Sequence, residues 1–211
     1  MRHRQHRTNR PRPRSRGAAG QLRIIGGSWR GRRLVVTDLE GLRPTADRLR
    51  ETLFNWLMAE VAGARCLDLF AGTGALGFEA LSRGAAHCDF IEVQSRAVAQ
   101  LRQSREALEA EERARIINDS SNSFLAAEAG PYDIAFLDPP FGDDLLDPAI
   151  DQLLTSGCLS PSALLYLEYP LKRAPRPRRE LESWKETRSG DVGAGLWRVA
   201  HLTQGGGAVP R

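Results

Sequence analysis

No apolar run in this 211-residue chain approaches the roughly 18 residues a helix needs to cross a bilayer, so no membrane partner is expected. The N-terminus lacks the apolar stretch of a secretory signal, and a cytoplasmic location is the expectation. Cysteine is scarce: Cys66, Cys88 and Cys158 are widely spaced, odd in number and without metal-ligand spacing. That argues against a disulfide framework and against a bound metal, and the three thiols read as small core residues in a reducing compartment. No internal repeat is present. The length suits one good core and falls short of two full domains, and a monomer is expected.

Acid and lysine are both absent from the first sixteen residues, which carry Arg2, Arg4, Arg7, Arg10, Arg12, Arg14 and Arg16. The whole chain is formally +4, so without those seven arginines the remainder is −3. Basic character is therefore local. Besides the tail it occupies Arg23 to Arg50, where seven arginines face Asp38, Glu40 and Asp47, and the short segment Lys172 to Arg179. Such segments favour a polyanion, because each neutralised phosphate releases counterions. The tail reads equally well as a solubilising segment.

What is present divides into four stretches. Residues 1–20 are rich in Arg, Pro and Gly and are expected to be disordered. Residues 21–62 form an extension: β-prone runs at Leu22–Ile25 and Leu34–Val36 bracket Trp29-Arg30-Gly31-Arg32-Arg33, which suggests a hairpin with an arginine-rich, Trp-bearing tip. Pro44 then ends the loop, and Thr45 is placed to cap a helix running to about Glu60, with Leu49, Leu53, Trp56 and Leu57 on one face. Residues 63–203 alternate strand and helix. Strands are expected near 66–70, 87–93, 115–118, 132–137 and 164–169, helices near 75–83, 98–108, 124–128 and 145–154. A final antiparallel pair, 184–188 and 196–201, flanks a Gly-rich turn, and residues 204–211 form a flexible end. This is an α/β pattern: a mostly parallel seven-stranded sheet covered by helices on both faces. Ligands in such sheets bind outside the carboxyl ends of the strands.

Asp68-Leu69-Phe70-Ala71-Gly72-Thr73-Gly74-Ala75-Leu76-Gly77 lies where a strand turns into a helix, where glycines let backbone approach a ligand. Gly72, Gly74 and Gly77 also fit a dinucleotide fingerprint, with Glu92 about twenty residues on as a ribose acid, so the glycines alone leave NAD and S-adenosylmethionine open. No Gly-Lys-Ser/Thr follows, which excludes a P-loop. Asp68 tilts the choice: an acid four residues before Gly72 suits a cofactor with a cationic amino-acid part and would repel a pyrophosphate. Asp119, ending the third strand, is placed to take an adenine amine or to cap the next helix.

Asp138-Pro139-Pro140-Phe141, closing the apolar strand 132–137, is the most specific feature. Two prolines fix the backbone and remove two N–H donors, leaving the Asp138 carboxylate and the Pro139 carbonyl as acceptors. That edge suits a substrate donating two hydrogens, an exocyclic amine of a nucleobase. The amine lone pair is delocalised into the ring, and acceptors on its hydrogens localise it for attack on a methyl sulfonium. Positioning of this kind supplies on the order of 7–11 kcal/mol, and a Phe141 stacked on the base about 1–3 kcal/mol. Arg30, Arg32 and Arg33 are placed to take phosphates, and Trp29 either stacks or plugs the core beneath the hairpin. Arg43 and Arg48 divide between RNA contact and local salt bridge.

The pair of motifs, Asp68 to Gly74 and Asp138 to Phe141, resembles the class I, Rossmann-like methyltransferases acting on amino groups of bases. Upstream, Arg23-Ile24-Ile25-Gly26-Gly27-Ser28-Trp29-Arg30-Gly31-Arg32-Arg33-Leu34 and the run from Leu42-Arg43-Pro44-Thr45-Ala46-Asp47-Arg48 to Leu57 are similar to the bacterial 16S rRNA guanine-N2 methyltransferases (RsmD-type). The likeness spans about residues 22–202, and the long arginine tail departs from it. It implies methylation of the guanine conventionally numbered 966, within assembling small ribosomal subunits. It further implies that Asp68, Phe70, Gly72 and Gly74 line the S-adenosylmethionine pocket, with Glu92 on the ribose. Asp138, Pro139 and Phe141 would hold the base, while the basic hairpin and following helix grip RNA. Competing readings are a DNA adenine-N6 methyltransferase, disfavoured because no module for reading the major groove is evident, and a non-catalytic ribosome-assembly factor. An NAD-dependent reductase leaves Asp138-Pro139-Pro140 unexplained, and cytosine-C5 chemistry lacks a cysteine in a suitable loop.

Overall fold

A computed structural model describes residues 20–36, 44–127 and 130–200. Strands β1 (Gly20–Arg23) and β2 (Arg33–Val36) pair as an antiparallel hairpin, with Arg23 opposite Arg33. Helix α1 (Pro44–Trp56) leads into β3 (Arg65–Asp68), α2 (Ala75–Ser82), β4 (His87–Ile91), α3 (Ser95–Ala107) and β5 (Ala114–Ile117). The second half is α4 (Ser121–Ala127), β6 (Tyr132–Leu137), α5 (Leu146–Ser156), β7 (Leu159–Pro170), β8 (Leu181–Ser189) and β9 (Val192–Val199).

The seven-stranded sheet runs β5-β4-β3-β6-β7-β9-β8, parallel from β5 to β7, with β9 antiparallel to both of its neighbours. Both faces of β3, β4, β6 and β7 are buried, which is why these strands read as nearly unbroken apolar runs. One core lies between the sheet and α1, α2 and α3, centred on Phe54, Phe78, Phe90, Phe136 and Tyr166; the other, beneath α4 and α5, holds Leu67, Leu137, Ile150, Leu153 and Leu167. The chain winds outward from β3 to β5 and then returns to β6 on the other side of β3. The crevice for a ligand therefore lies above the carboxyl ends of β3 and β6.

The hairpin is fastened to this body by one buried acid. Glu79 of α2 is 1% exposed, its two oxygens accept from the Ile25 and Gly26 amides at 2.8 Å each, and Arg83 donates to it at 2.7 Å. Ser82 adds three more contacts: its hydroxyl donates to the Gly26 carbonyl and accepts from the Trp29 amide, while its carbonyl accepts from the Ser28 amide. Gly27 permits the approach, since a Cβ there would fall 1.8 Å from the Ser82 carbonyl oxygen. Trp29 is buried with Arg113 stacked 5.0 Å from its ring, so it plugs the core beneath the hairpin and does not face a ligand. Leu22, Ile24, Trp29 and Leu34 thus share one core with Leu53, Phe54 and Phe78.

Three differences from the expected elements have physical causes. Helix α1 begins at Pro44, whose missing N–H suits a first helical turn, and ends at Trp56, after which Glu60 and Val61 both donate to the Leu57 carbonyl in tight turns. Strand β7 starts at Leu159, earlier than expected, because it pairs with Tyr132 before a register shift. Part of the expected Gly-rich turn is strand. Gly193 and Gly195 lie inside β9, where a Cβ would meet the Tyr169 ring at 2.5 Å and the Trp197 ring at 2.8 Å, so their bareness makes room for aromatics. The expected strand end at His201 lies outside the described residues, as do most of both tails.

Glu79→Ala should lower the unfolding free energy by about 3 kcal/mol, because it strands two amides and a guanidinium. A urea midpoint would measure this, with faster exchange of the Ile25 and Gly26 amides; an unchanged midpoint would show that the hairpin is held by its apolar contacts alone.

Candidate active site

The loop after β3 passes directly over the crevice. Gly72 and Gly74 both have positive φ, +50° and +77°, the left-handed region where a side chain is strained. Their surroundings differ. A Cβ on Gly72 meets nothing nearer than 3.9 Å, so this glycine leaves open space, whereas one on Gly74 would strike Phe78 at 2.6 Å and Leu101 at 2.7 Å. Gly77 is likewise a packing glycine, pressed against Phe90 and Cys88. Phe70, half-buried, packs on the α4–α5 core.

Two carboxylates support this loop from below. Asp68, 3% exposed, accepts from the Gly77 amide at 3.0 Å and so caps the first turn of α2. Glu92, just past β4, accepts from the Gly72 amide at 2.9 Å and from the Gln94 amide at 2.7 Å. Burial pushes the Asp68 carboxyl up to about 7, helped by the charge of Glu92 and opposed by the Gly77 hydrogen bond. The arrangement discriminates between cofactors. A pyrophosphate would need the loop amides that Glu92 occupies and would lie against two acids; a ligand carrying an ammonium and a sulfonium meets favourable charge. Asp119 accepts from the Ser120 amide at 2.7 Å, and Ser120 caps α4 through the Ser123 amide.

Across the crevice, β6 ends in Asp138, which is exposed, and Pro139, which is buried; Phe141 follows with 42% of its surface open. The β6–β7 register sets Leu137 beside Leu167, so the next residues outward are Asp138 and Glu168. Crowding by protein, then the charges of Glu168 and Asp68, hold the Asp138 carboxyl well above the usual carboxylate range. Water reaches the exposed side chain and tempers that effect while the site is open. Burial raises Glu168 as well, against the hydrogen bond it accepts from the Tyr166 hydroxyl at 2.9 Å. Glu168 and Phe141 share the wall of a cleft of about 490 Å³ with Pro139, Tyr169 and Arg173.

Glu168 escaped the sequence reading. It is the sole charged residue of its strand and stands near the carboxyl end, which was the available signal. Among the described residues, no cluster of three or more His, Cys, Asp or Glu is arranged to hold a metal ion. The arginines sort differently from the expectation. Arg30, Arg33 and Arg48 are exposed, Arg32 donates to the Ala107 carbonyl, and Arg43 lies outside the described residues. The basic segment 172–179 is largely neutralised at home: Arg173 pairs with Asp144, and Arg176 and Arg178 pair with Asp147 and Asp151. Arg176 and Arg178 close the loop after β7 onto α5, so part of the charge expected to favour a polyanion is paired within the chain.

A parallel sheet with an antiparallel last pair, a glycine loop over β3 and an Asp-Pro-Pro-Phe edge on β6 together define a class I, Rossmann-like methyltransferase. The chain belongs to the family described as conserved hypothetical protein 95, whose model matches residues 22–198. It is 51% identical over 150 residues to the ribosomal RNA small subunit methyltransferase D of Escherichia coli, covering 71% of this chain and 75% of that one. The Haemophilus influenzae protein of the same name is 44% identical over 187 residues, covering 86% and 95%. A solved structure named "Putative methyltransferase yhhF from Escherichia coli" superposes with a TM-score of 0.79 at 43% identity, over 85% of this chain and 98% of that one.

Asp68→Asn keeps an acceptor for Gly77 but removes a buried charge. Because the folded carboxyl titrates at about 7 against an ordinary 3.8, the folded state binds the proton more tightly, and stability falls as pH rises from about 4 to 7. The variant should therefore be more stable than the parent at pH 8, by order 1–4 kcal/mol, and less pH-dependent across that window. Thermal melts from pH 5 to pH 8 decide; parallel curves for the two proteins would mean that Asp68 is not a destabilising charge.

Proposed function

We propose that this protein methylates the exocyclic N2 amine of a specific guanine in 16S rRNA, within the assembling small ribosomal subunit and with S-adenosylmethionine as donor. The observation that carries the reading is the Asp138-Pro139-Pro140-Phe141 edge at the carboxyl end of β6, the strand that neighbours β3 and its glycine loop. The names of the relatives support an rRNA substrate, and such a substrate places the work in the cytoplasm. No described helix is long and apolar enough to cross a membrane.

Phe70, Gly72 and Gly74 would line the cofactor, with Asp68 and Glu92 supplying negative charge and Asp119 standing near the adenine end. Bound S-adenosylmethionine supplies a methyl group on a positively charged sulfur. Asp138 and the Pro139 carbonyl accept the two amine hydrogens and hold the nitrogen with its lone pair directed at that methyl. Phe141 covers the base and excludes water. With the methyl moved from sulfur to nitrogen and the neutral thioether left as product, the nitrogen would be cationic and Asp138 would take its proton. A strong base is unnecessary, because the proton becomes acidic only after transfer. The hairpin and α1 would grip the phosphates through Arg30, Arg32, Arg33, Arg43 and Arg48, around a base extruded or already unstacked.

Methyl transfer from labelled cofactor to free 16S rRNA and to small-subunit particles lacking the modification, followed by nucleoside analysis, tests the reading. N2-methylguanine is expected; N6-methyladenine would keep the mechanism and overturn the substrate. Asp138→Ala should abolish turnover while cofactor binding, by calorimetry, stays near the parent value; turnover within about tenfold of the parent would refute the account of the amine. In the parent, protonation of Asp138 removes an acceptor, so the rate should decline on the acid side at a pH above the ordinary carboxylate range. Replacing Arg30, Arg32 and Arg33 together by Ala should flatten the slope of log affinity against log salt by roughly 2. An unchanged slope would put the RNA elsewhere.

A further inference from the structure

The proposed amine chemistry serves adenine and cytosine as well as guanine, so something beyond Asp138 must choose the base. We propose that Glu168 makes the choice: its carboxylate accepts the N1–H of the target guanine while Asp138 and the Pro139 carbonyl hold the adjacent N2 amine. This rests on the guanine-N2 reading above and deepens it.

Four observations converge on Glu168. First, the register Phe136–Tyr166 and Leu137–Leu167 makes it the lateral neighbour of Asp138, on the sheet face that carries Phe136 and Tyr166. Adjacent strands lie about 4.8 Å apart, which is of the same order as the span of a nucleobase edge. Second, the carboxylate is fixed. The Tyr166 hydroxyl donates to one of its oxygens at 2.9 Å, and the Tyr166 ring is fully buried against Phe136. Third, it lines the cleft that Pro139, Pro140 and Phe141 also line, so it faces the space left for a base. Fourth, no arginine or lysine among the described residues pairs with it, although Arg173 and Arg176 line the same cleft; those two are held by Asp144, Asp147 and Asp151. A donor on a ligand would therefore meet acceptors that no described cation already holds.

The donor pattern of the bases then decides. Guanine presents N1–H directly beside its N2 amine, a row of donors opposite a row of acceptors. Adenine has an acceptor, N1, beside its amine, and cytosine has N3; either would set a lone pair against the Glu168 carboxylate. A buried acceptor left facing an acceptor is strongly rejected, because neither group recovers the hydration it lost. The crowding that raises both carboxyls, and the charge of Glu168 that adds to it at Asp138, are relieved by the base that donates most.

The test keeps the reacting amine and turns its neighbour N1 from donor to acceptor, with the 6-oxo group lost as well, so the decisive reading is how the variant changes the ratio. Small-subunit particles are reconstituted with 16S rRNA carrying 2-aminopurine at the target; this base has the same 2-amine, but its N1 is an acceptor. The parent protein should methylate guanine at least ~100-fold faster than 2-aminopurine in kcat/KM. Glu168→Gln keeps an acceptor for Tyr166 and adds an amide donor for N1. It should lose about 30- to 100-fold on guanine and shrink the guanine preference to below ~10-fold. A residue that merely anchors Tyr166 would depress both substrates alike and leave the ratio intact, and that result overturns the proposal. So does a parent enzyme that accepts both bases equally, a result that needs no variant to fold. If the parent yields no N2-methylguanine at all, the guanine-N2 reading fails first, and the role of Glu168 falls with it.

Discussion

Three neighbouring strands end together because the β3–β6 register sets Asp68 beside Phe136 and the β6–β7 register sets Leu137 beside Leu167. That alignment carries Asp68, Asp138 and Glu168 onto one face of one crevice. A slip of one residue in any of these strands would turn its acid into the opposite core. The packed apolar faces forbid the slip, so ordinary core packing fixes the spacing of the acids. The consequence is electrostatic. Burial raises each of these acids, the charges of Glu92 on Asp68 and of Glu168 and Asp68 on Asp138 add to it, and few donors of the folded chain relieve them. The crevice is thereby shaped for ligands rich in hydrogen-bond donors or positive charge.

Glu79 makes the contrast clear. It is as deeply buried as Asp68, but Ile25, Gly26 and Arg83 together satisfy it. Its charge is spent on joining the hairpin to α2, and the joint leaves Arg30 and Arg33 exposed on a rigid mount. The same residue type thus does two jobs in one sheet-and-helix frame. Where the chain provides the donors, an acid is a fastener; where it does not, the acid waits for a ligand.

Much of this was legible in the sequence, for identifiable reasons. Strand β6 was readable to the residue because its six apolar-rich positions are bounded by Pro131 and by Asp138-Pro139. The glycine loop was readable because a helix start demands it, and the core role of the cysteines because nothing else suited their spacing. Less visible was anything set by partners distant in sequence. Glu79 lies in the middle of a helix and finds its amides more than fifty residues upstream. Glu168 gains its meaning from a neighbour thirty residues earlier, across a parallel pair that periodicity cannot register. The arginines of 173–178 read as a basic patch because the acids that pair with them, Asp144 just before α5 and Asp147 and Asp151 on it, are out of local view.

The distribution of charge that results separates two tasks. Arg30 and Arg33 on the hairpin and Arg48 on α1 are exposed, while Asp68, Asp138 and Glu168 stand at the ends of neighbouring strands at the crevice. Under the proposed function, a polyanion would be drawn to the exposed arginines and repelled by the crevice acids, which favour a neutral donor-bearing base or a cation over a phosphate. Binding strength then depends on screened surface charge and weakens with salt, whereas base choice depends on hydrogen bonds in a site shielded from salt. The neutralised arginines of 173–178 belong to this logic. Left unpaired at the mouth of the cleft, they would hold a phosphate against the acids that must read a base; paired with Asp144, Asp147 and Asp151, they shape the wall without adding net attraction for RNA.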